Sequence, residues 1–243
     1  MSSSDAYYEE RLYPLQDGVL RLVIGLGAPL YLTGGTALSR GYFGHRYSDD
    51  LDLFVNGDPR YGEWVDLFAA TLEHAQERGE LEFLSAATIR TSDFSRLTVT
   101  GARDPDIELK IDLVNDSAPH FGEPITRAVL GRIDALRNIL SNKMGATLRF
   151  AGKDLADIWI ICRNRSFNWP VVWEEAQAKE AGLDPAVVAE VISGVPLSEL
   201  EAVRWRNSPA DCPAVRDDLE VIARDIVRGG ENSLGYDKAA LEQ

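Results

Sequence analysis

Residues 49–55 read DDLDLFV and residues 107–114 read IELKIDLV. In both runs polar residues alternate with large apolar ones, and alternation at period two marks a strand with one buried face. On such a strand Asp50 and Asp52 project together while Leu51 and Leu53 turn into a core. Carboxylates held that close repel each other unless a cation sits between them. Hard oxygen donors, completed by waters and phosphate oxygens, suit Mg²⁺ or its close substitute Mn²⁺. In the second run Ile107, Leu109, Ile111 and Leu113 form the apolar face, and Asp112 lies with Lys110 on the other. Read singly, each run also fits a solvated strand face. The apolar residues on both sides of Asp52 favour the metal-binding reading, with Asp50, Asp52 and Asp112 as the ligands.

Ahead of the aspartates, PLYLTGG reads as a short strand that ends in Gly34 and Gly35 and turns into a brief helix over 36–42. Adjacent glycines there let the backbone approach a ligand closely and aim free N–H groups at an anion. A phosphate cradle, an Asp-x-Asp on a strand and an Asp on a later strand together suit the transfer of a nucleotidyl group.

The spacing of Leu15, Val19, Leu22, Val23 and Leu26 predicts an amphipathic helix over 12–26, and residues 61–78 read as a second. LEFLSAATIR, FSRLTVTG and DIELKIDLVN read as strands, and from about residue 128 nearly everything reads as helix. The expected class is α+β. An α/β domain with a mixed sheet is expected over 1–127, and a helical domain that contributes to the active site over 128–243. The net charge of −14 disfavours general adhesion to nucleic acid or anionic membrane. No apolar run approaches the ~20 residues that span a bilayer, and the N-terminus lacks the pattern of a secretory leader. Cys162 and Cys212 are too few for a disulfide framework, so a cytoplasmic setting with reduced thiols is expected.

One stretch departs from the acidic average. Residues 127–165 hold eight Lys or Arg against three Asp, a local excess of five positive charges suited to a triphosphate or an RNA backbone. Within it Lys143 sits at the edge of a helical stripe of Ile133, Leu136, Leu140, Met144 and Thr147. Asp157 lies in the apolar run DLADIWIIC, where a lone carboxylate costs several kcal/mol unless it is paired. Asp154 is one helical turn earlier, and Lys143, Arg149 and Lys153 are the candidate partners. His45, His74 and His120 show no zinc spacing. Beyond residue 165, Trp169, Trp173 and Trp205 read as helical core and carry no motif.

Three blocks, GGTALSRGYFGHRYSDDLDLF (34–54), LKIDLV (109–114) and NKMGATLRFAGKDLADIWIICR (142–163), resemble the nucleotidyltransferase superfamily of the DNA polymerase β type. More narrowly they resemble the AbiEii/AbiGii group, the toxins of type IV toxin–antitoxin systems and relatives of the mycobacterial MenT toxins. The spacer before Asp50 is a residue longer than in many relatives. The resemblance implies metal-dependent transfer of a nucleotide from a nucleoside triphosphate (NTP). It implies catalytic roles for Asp50, Asp52, Asp112, Lys143 and Asp157. It implies nucleotide binding by Gly34, Gly35, Thr36, Ser48, Arg149, Lys153 and Asp154. One Asp of the Asp154/Asp157 pair would help to deprotonate the acceptor, and the residues leave open which. The implied acceptor is the 3′ end of a tRNA, and the implied partner is a cognate antitoxin. A small molecule, as in antibiotic nucleotidyltransferases, or a protein is the alternative acceptor, which the overall acidity favours where the basic stretch favours RNA. A catalytically inactive scaffold is the remaining reading, and the intact carboxylate set speaks against it.

Overall fold

A computed structural model of the chain describes residues 3–206 and 211–241. The chain forms two compact units that alternate along the sequence. One comprises Met1–Gly41, Ser48–Ser117 and Pro124–Asp134; the other comprises Tyr42–Tyr47, Ala118–Glu123 and Ala135–Gln243.

The first unit is built on a mixed sheet. Its strands are β1 (Tyr31–Thr33), β2 (Leu51–Asn56), β3 (Leu81–Phe83), β4 (Ile89–Arg90), β5 (Phe94–Gly101), β6 (Asp104–Asp116), β7 (Ile125–Arg127) and β8 (Gly131–Ile133). They run in the order β3–β5–β6–β2–β1–β8–β7, with β4 also paired to β5. The β2/β6 and β1/β8 pairs are parallel and the rest antiparallel. The period-two pattern holds: Leu51 and Leu53 on β2 lie level with Ile111 and Leu113 on β6, and all four are buried. The same unit carries α1 (Ser3–Ala6), a π-helical turn over Tyr7–Leu12, α2 (Tyr13–Gly25), α3 (Gly34–Leu38) and α4 (Tyr61–Glu77). Val19, Leu20 and Val23 of α2 and Val65, Phe68 and Leu72 of α4 join the core. The Tyr61 hydroxyl of α4 meets Ser95 Oγ at 3.1 Å and the Leu113 carbonyl at 2.9 Å, which puts α4 on the apolar face of the sheet.

Two expectations change here. LEFLSAATIR divides into β3 and β4 around a 3₁₀ turn at Ser85–Ala87. Residues 125–127 also add a strand just before the stretch that read as helix, and residues 131–133 add another within it. Ile133 therefore lies on β8 opposite Leu32 and does not belong to the Lys143 helical stripe.

The second unit holds α5 (Leu136–Ala146), α6 (Gly152–Asn164), α7 (Trp169–Lys179), α8 (Pro185–Ser193), α9 (Leu197–Glu201) and α10 (Cys212–Arg228). Local chemistry sets their ends. The Asp184 and Asp211 carboxylates accept the first free N–H groups of α8 and α10, each followed by Pro in the first turn. Gly229, at φ +66°, closes α10 in the left-handed region. Trp169 and Trp173 are buried as expected, and both cysteines are free thiols. The segment 45–47 joins this unit by strand-like pairing. Arg206 N–H donates to the His45 carbonyl at 3.0 Å, and Tyr47 N–H donates to the Arg204 carbonyl at 2.8 Å.

Candidate active site

Strand register assembles the α/β part of the site. Asp52 on β2 lies level with Asp112 on β6, Asp112 with Arg96 on β5, and Asp52 with Thr33 on β1. Residues level with one another on neighbouring strands share a face, so the four side chains form one polar row on the face away from Leu53 and Leu113. Asp134, directly after β8, extends the row; it is fully buried and accepts from Thr33 Oγ1 at 2.5 Å.

Asp50 precedes β2 and is exposed, whereas Asp52 and Asp112 are half-buried. The turn that presents them is tied from several sides. Thr36 Oγ1 donates to the Asp50 carbonyl at 2.5 Å and lies 2.8 Å from Ser48 Oγ. Gln16 Nε2 donates to the carbonyls of Ser48 and Asp49, and the Tyr8 hydroxyl donates to the Asp49 carboxylate at 2.6 Å. Asp49, the remaining member of the acidic knot, thus helps to hold the turn. Gly34 shows why the first glycine is needed: its φ is +66°, and a Cβ there would lie 2.5 Å from Asp52 Oδ2. Thr36 and Ser48, implied as nucleotide-binding residues, are buried between the glycine turn and the aspartates.

The donor set fits a divalent cation in kind, since carboxylate oxygens are what Mg²⁺ takes, and the Gly34 turn brings its backbone close against Asp52 Oδ2. It is not gathered: among the described residues no group of three His, Cys, Asp or Glu side chains is close enough to hold a metal ion. Arg96 gives a physical reason. Its Nε and Nη2 donate to both Asp112 oxygens at 2.7 Å, so the third carboxylate already has a cation. The Arg96 guanidinium is held above its ordinary range chiefly by Asp112, with Asp50 and Asp52 adding to the effect.

The helical unit gathers the other expected residues. Lys143 on α5 reaches Asp154 Oδ1 at 2.6 Å and Asp157 Oδ2 at 2.7 Å, both on α6. Asp157 also accepts from Arg46 Nε and Nη2 at 2.7 Å and from His45 Nε2 at 2.8 Å. Burial alone would raise the Asp157 carboxyl, but Lys143 and Arg46 outweigh it and hold the group well below its ordinary value. Burial likewise opposes the Lys143 charge, and Asp157 with Asp154 overcomes it and raises the ammonium. Burial wins at His45, whose pKa is lowered despite its bond to Asp157. An ionised carboxylate can only accept, so neutral His45 carries its proton on Nε2. Asp154 is held differently. Oδ1 meets Lys143, while Oδ2 has Arg149 at 3.3 Å as an ion-pair neighbour but no well-directed hydrogen bond. Lys143, expected at a helix edge, is buried, and Lys153 is exposed.

Sequence reasoning thus missed Arg96, Asp134 and Arg46, and left His45 as a lone histidine. Each is identified by a partner far along the chain. No local signal in the sequence marks these pairings, which strand register and helix packing set.

A mixed sheet with a glycine turn set against paired strand carboxylates fits a nucleotidyltransferase. The chain belongs to the AbiEii family: the model of the nucleotidyl transferase AbiEii toxin of type IV toxin–antitoxin systems matches residues 22–218. An NTP substrate and an antitoxin partner follow from that membership. The fold is shared with two solved structures from Helicobacter pylori. JHP933 is 16% identical with a TM-score of 0.59 and 94% of each chain covered. A protein described as a nucleotidyltransferase is 18% identical with a TM-score of 0.60, covering 94% of this chain and 96% of its own. A third, the MenT4 nucleotidyltransferase toxin of Mycobacterium tuberculosis, is 17% identical over 87% of this chain and 82% of its own, with a TM-score of 0.48. No curated protein matches the chain significantly. Among the described residues no helix is long and apolar enough to cross a membrane.

Proposed function

We propose that the chain transfers a nucleotide from an NTP to a tRNA in the cytoplasm, with Mg²⁺ or Mn²⁺ held by Asp50, Asp52 and Asp112. The observation that carries this reading is the row in which Asp52 and Asp112 lie level across β2 and β6 beside the Gly34 turn. A cation bound there would neutralise the departing pyrophosphate and make the acceptor hydroxyl more acidic. Gly34 and Gly35 offer backbone to the triphosphate, and Arg96 is a second cation for it once Asp112 is engaged elsewhere. Arg149 and Lys153 supply further positive charge for phosphate oxygens, and Lys143 pairs with Asp154 Oδ1 at 2.6 Å. In the transfer, the acceptor hydroxyl oxygen bonds to the α-phosphorus as the bond to the β-phosphate bridging oxygen breaks. Pyrophosphate leaves, and the hydroxyl proton passes to a carboxylate. Asp154 suits that last role better than Asp157, whose two oxygens are saturated by Arg46, His45 and Lys143.

Each α-³²P NTP, supplied with Mg²⁺, is incubated with total RNA and protein, using Asp52→Ala as the blank. Label in tRNA-sized RNA that falls at least a thousandfold in the blank supports the reading. Label in protein replaces the acceptor, and label in neither turns the search to small molecules.

A further inference from the structure

The turn between α5 and α6 shows an aromatic ring to solvent in an unfavourable backbone state. Among the described residues Phe150 alone has a positive φ without being glycine, at +56°. An L-residue with a bulky side chain avoids this region. Its side chain gains little in return, since the residue is 66% exposed. Strain and exposed apolar surface in one residue mark a position kept for something other than stability.

The turn is firmly anchored. Thr147 is fully buried and donates from Oγ1 to the Met144 carbonyl at 2.6 Å, and Phe150 N–H donates to the Thr147 carbonyl at 2.9 Å. On the far side, a Cβ on Gly152 would lie 2.2 Å from the Glu199 carbonyl oxygen, so α6 starts pressed against α9. The ring is therefore displayed from a fixed base. Two cations flank it: Arg149, whose side chain is 68% exposed and whose Nη2 lies 3.3 Å from the buried Asp154 Oδ2, and Lys153, which is exposed. An exposed aromatic face beside exposed cations is the arrangement that takes a base by stacking and its phosphates by charge.

We propose that Phe150 is a platform on which a nucleobase stacks, with Arg149 and Lys153 holding the adjoining phosphates. This rests on the nucleotidyltransferase reading and extends it, since base and phosphate are shared by the NTP and by an RNA acceptor. Wild type, Phe150→Ala, Phe150→Trp and Phe150→Gly are titrated with each Mg·NTP by calorimetry and with fluorescein-labelled tRNA by anisotropy. Melting curves check the fold. Phe150→Ala weakens one ligand by about tenfold, Phe150→Trp restores it, and Phe150→Gly melts no lower than wild type while binding as poorly as the alanine variant. Loss confined to an NTP assigns the base to the donor; loss confined to tRNA assigns it to the acceptor. Unchanged binding of both ligands overturns the platform and leaves the proposed function standing. So does an alanine variant that loses only a co-expressed protein partner, because the ring is then a protein contact. A wild-type chain that binds neither ligand overturns both readings together.

Discussion

Asp157 keeps a full negative charge with no exposure to water, held by Arg46, His45 and Lys143. Removing one side of a buried ion pair costs about 3–5 kcal/mol, because the remaining charges lose their partner. Asp157→Ala is therefore expected to lower stability by about that amount in urea denaturation. Asp154→Asn, which leaves Lys143 paired with Asp157, is expected to retain the fold while nucleotide transfer falls about a hundredfold or more. The same cluster sets a pH profile. Folded His45 has a pKa below the ordinary 6.5, so as pH falls below 6.5 the unfolded chain takes up a proton that the folded chain refuses, and stability drops. Asp157, depressed below 3.8, contributes stability that is present above 3.8 and lost as pH falls through its folded value. Lys143, raised above 10.5, contributes stability that is complete below 10.5 and lost as pH rises through its folded value. The melting temperature is expected to be level from about pH 7 to 10 and to fall below about 6.5. His45→Gln, whose Nε2 can still donate to Asp157 but does not titrate, should abolish the upper acid step.

At the scale of elements, the polar row depends on β1, β2, β5 and β6 keeping register. Gly34→Ala places a methyl at 2.5 Å from Asp52 Oδ2 and strains a residue at φ +66°. It is expected to cost about 1–3 kcal/mol and to reduce transfer more than it reduces stability. Arg96→Gln removes the cation that occupies Asp112 across β5 and β6. The metal-free protein should lose about 0.2–1 kcal/mol, and Mn²⁺ should bind more tightly without nucleotide when followed by electron paramagnetic resonance. Weaker Mn²⁺ binding would show that Arg96 orients Asp112 for the ion. Much of this sheet could be read in advance, because Ile107, Leu109, Ile111 and Leu113 announce their shared face by spacing alone. The strands β7 and β8 could not. Each has three residues, too few to show a period, and they lie where helical spacing begins. The Arg96–Asp112 pair was hidden for another reason: strand pairing sets it, and nothing local couples positions 16 residues apart. That Asp157 is paired was legible from the high cost of an unpaired buried carboxylate, but spacing left Lys143, Arg149 and Lys153 as alternative partners, and Lys143 with Arg46 and His45 holds it.

For the whole molecule, the net charge of −14 and the local excess of five positive charges over 127–165 set how it meets a polyanion. Nucleic-acid affinity carried by a local patch on an acidic chain should be strongly salt-dependent. Between 50 and 200 mM salt, tRNA binding is expected to weaken roughly ten- to a hundredfold, as for a few phosphate contacts, while Mg·NTP binding changes less. The alternation of the two units along the chain also bears on how a toxin comes into being. His45 and Arg46 belong to the helical unit, yet their charge partner Asp157 lies 112 and 111 positions downstream. A ribosome adding about 5–20 residues per second needs roughly 5–20 s more before that carboxylate exists. The nascent chain meanwhile holds the strand aspartates without the finished helical unit. Assembly of the buried cluster therefore waits on the downstream helix, and for that interval the nascent chain carries Arg46 without the carboxylate that neutralises it.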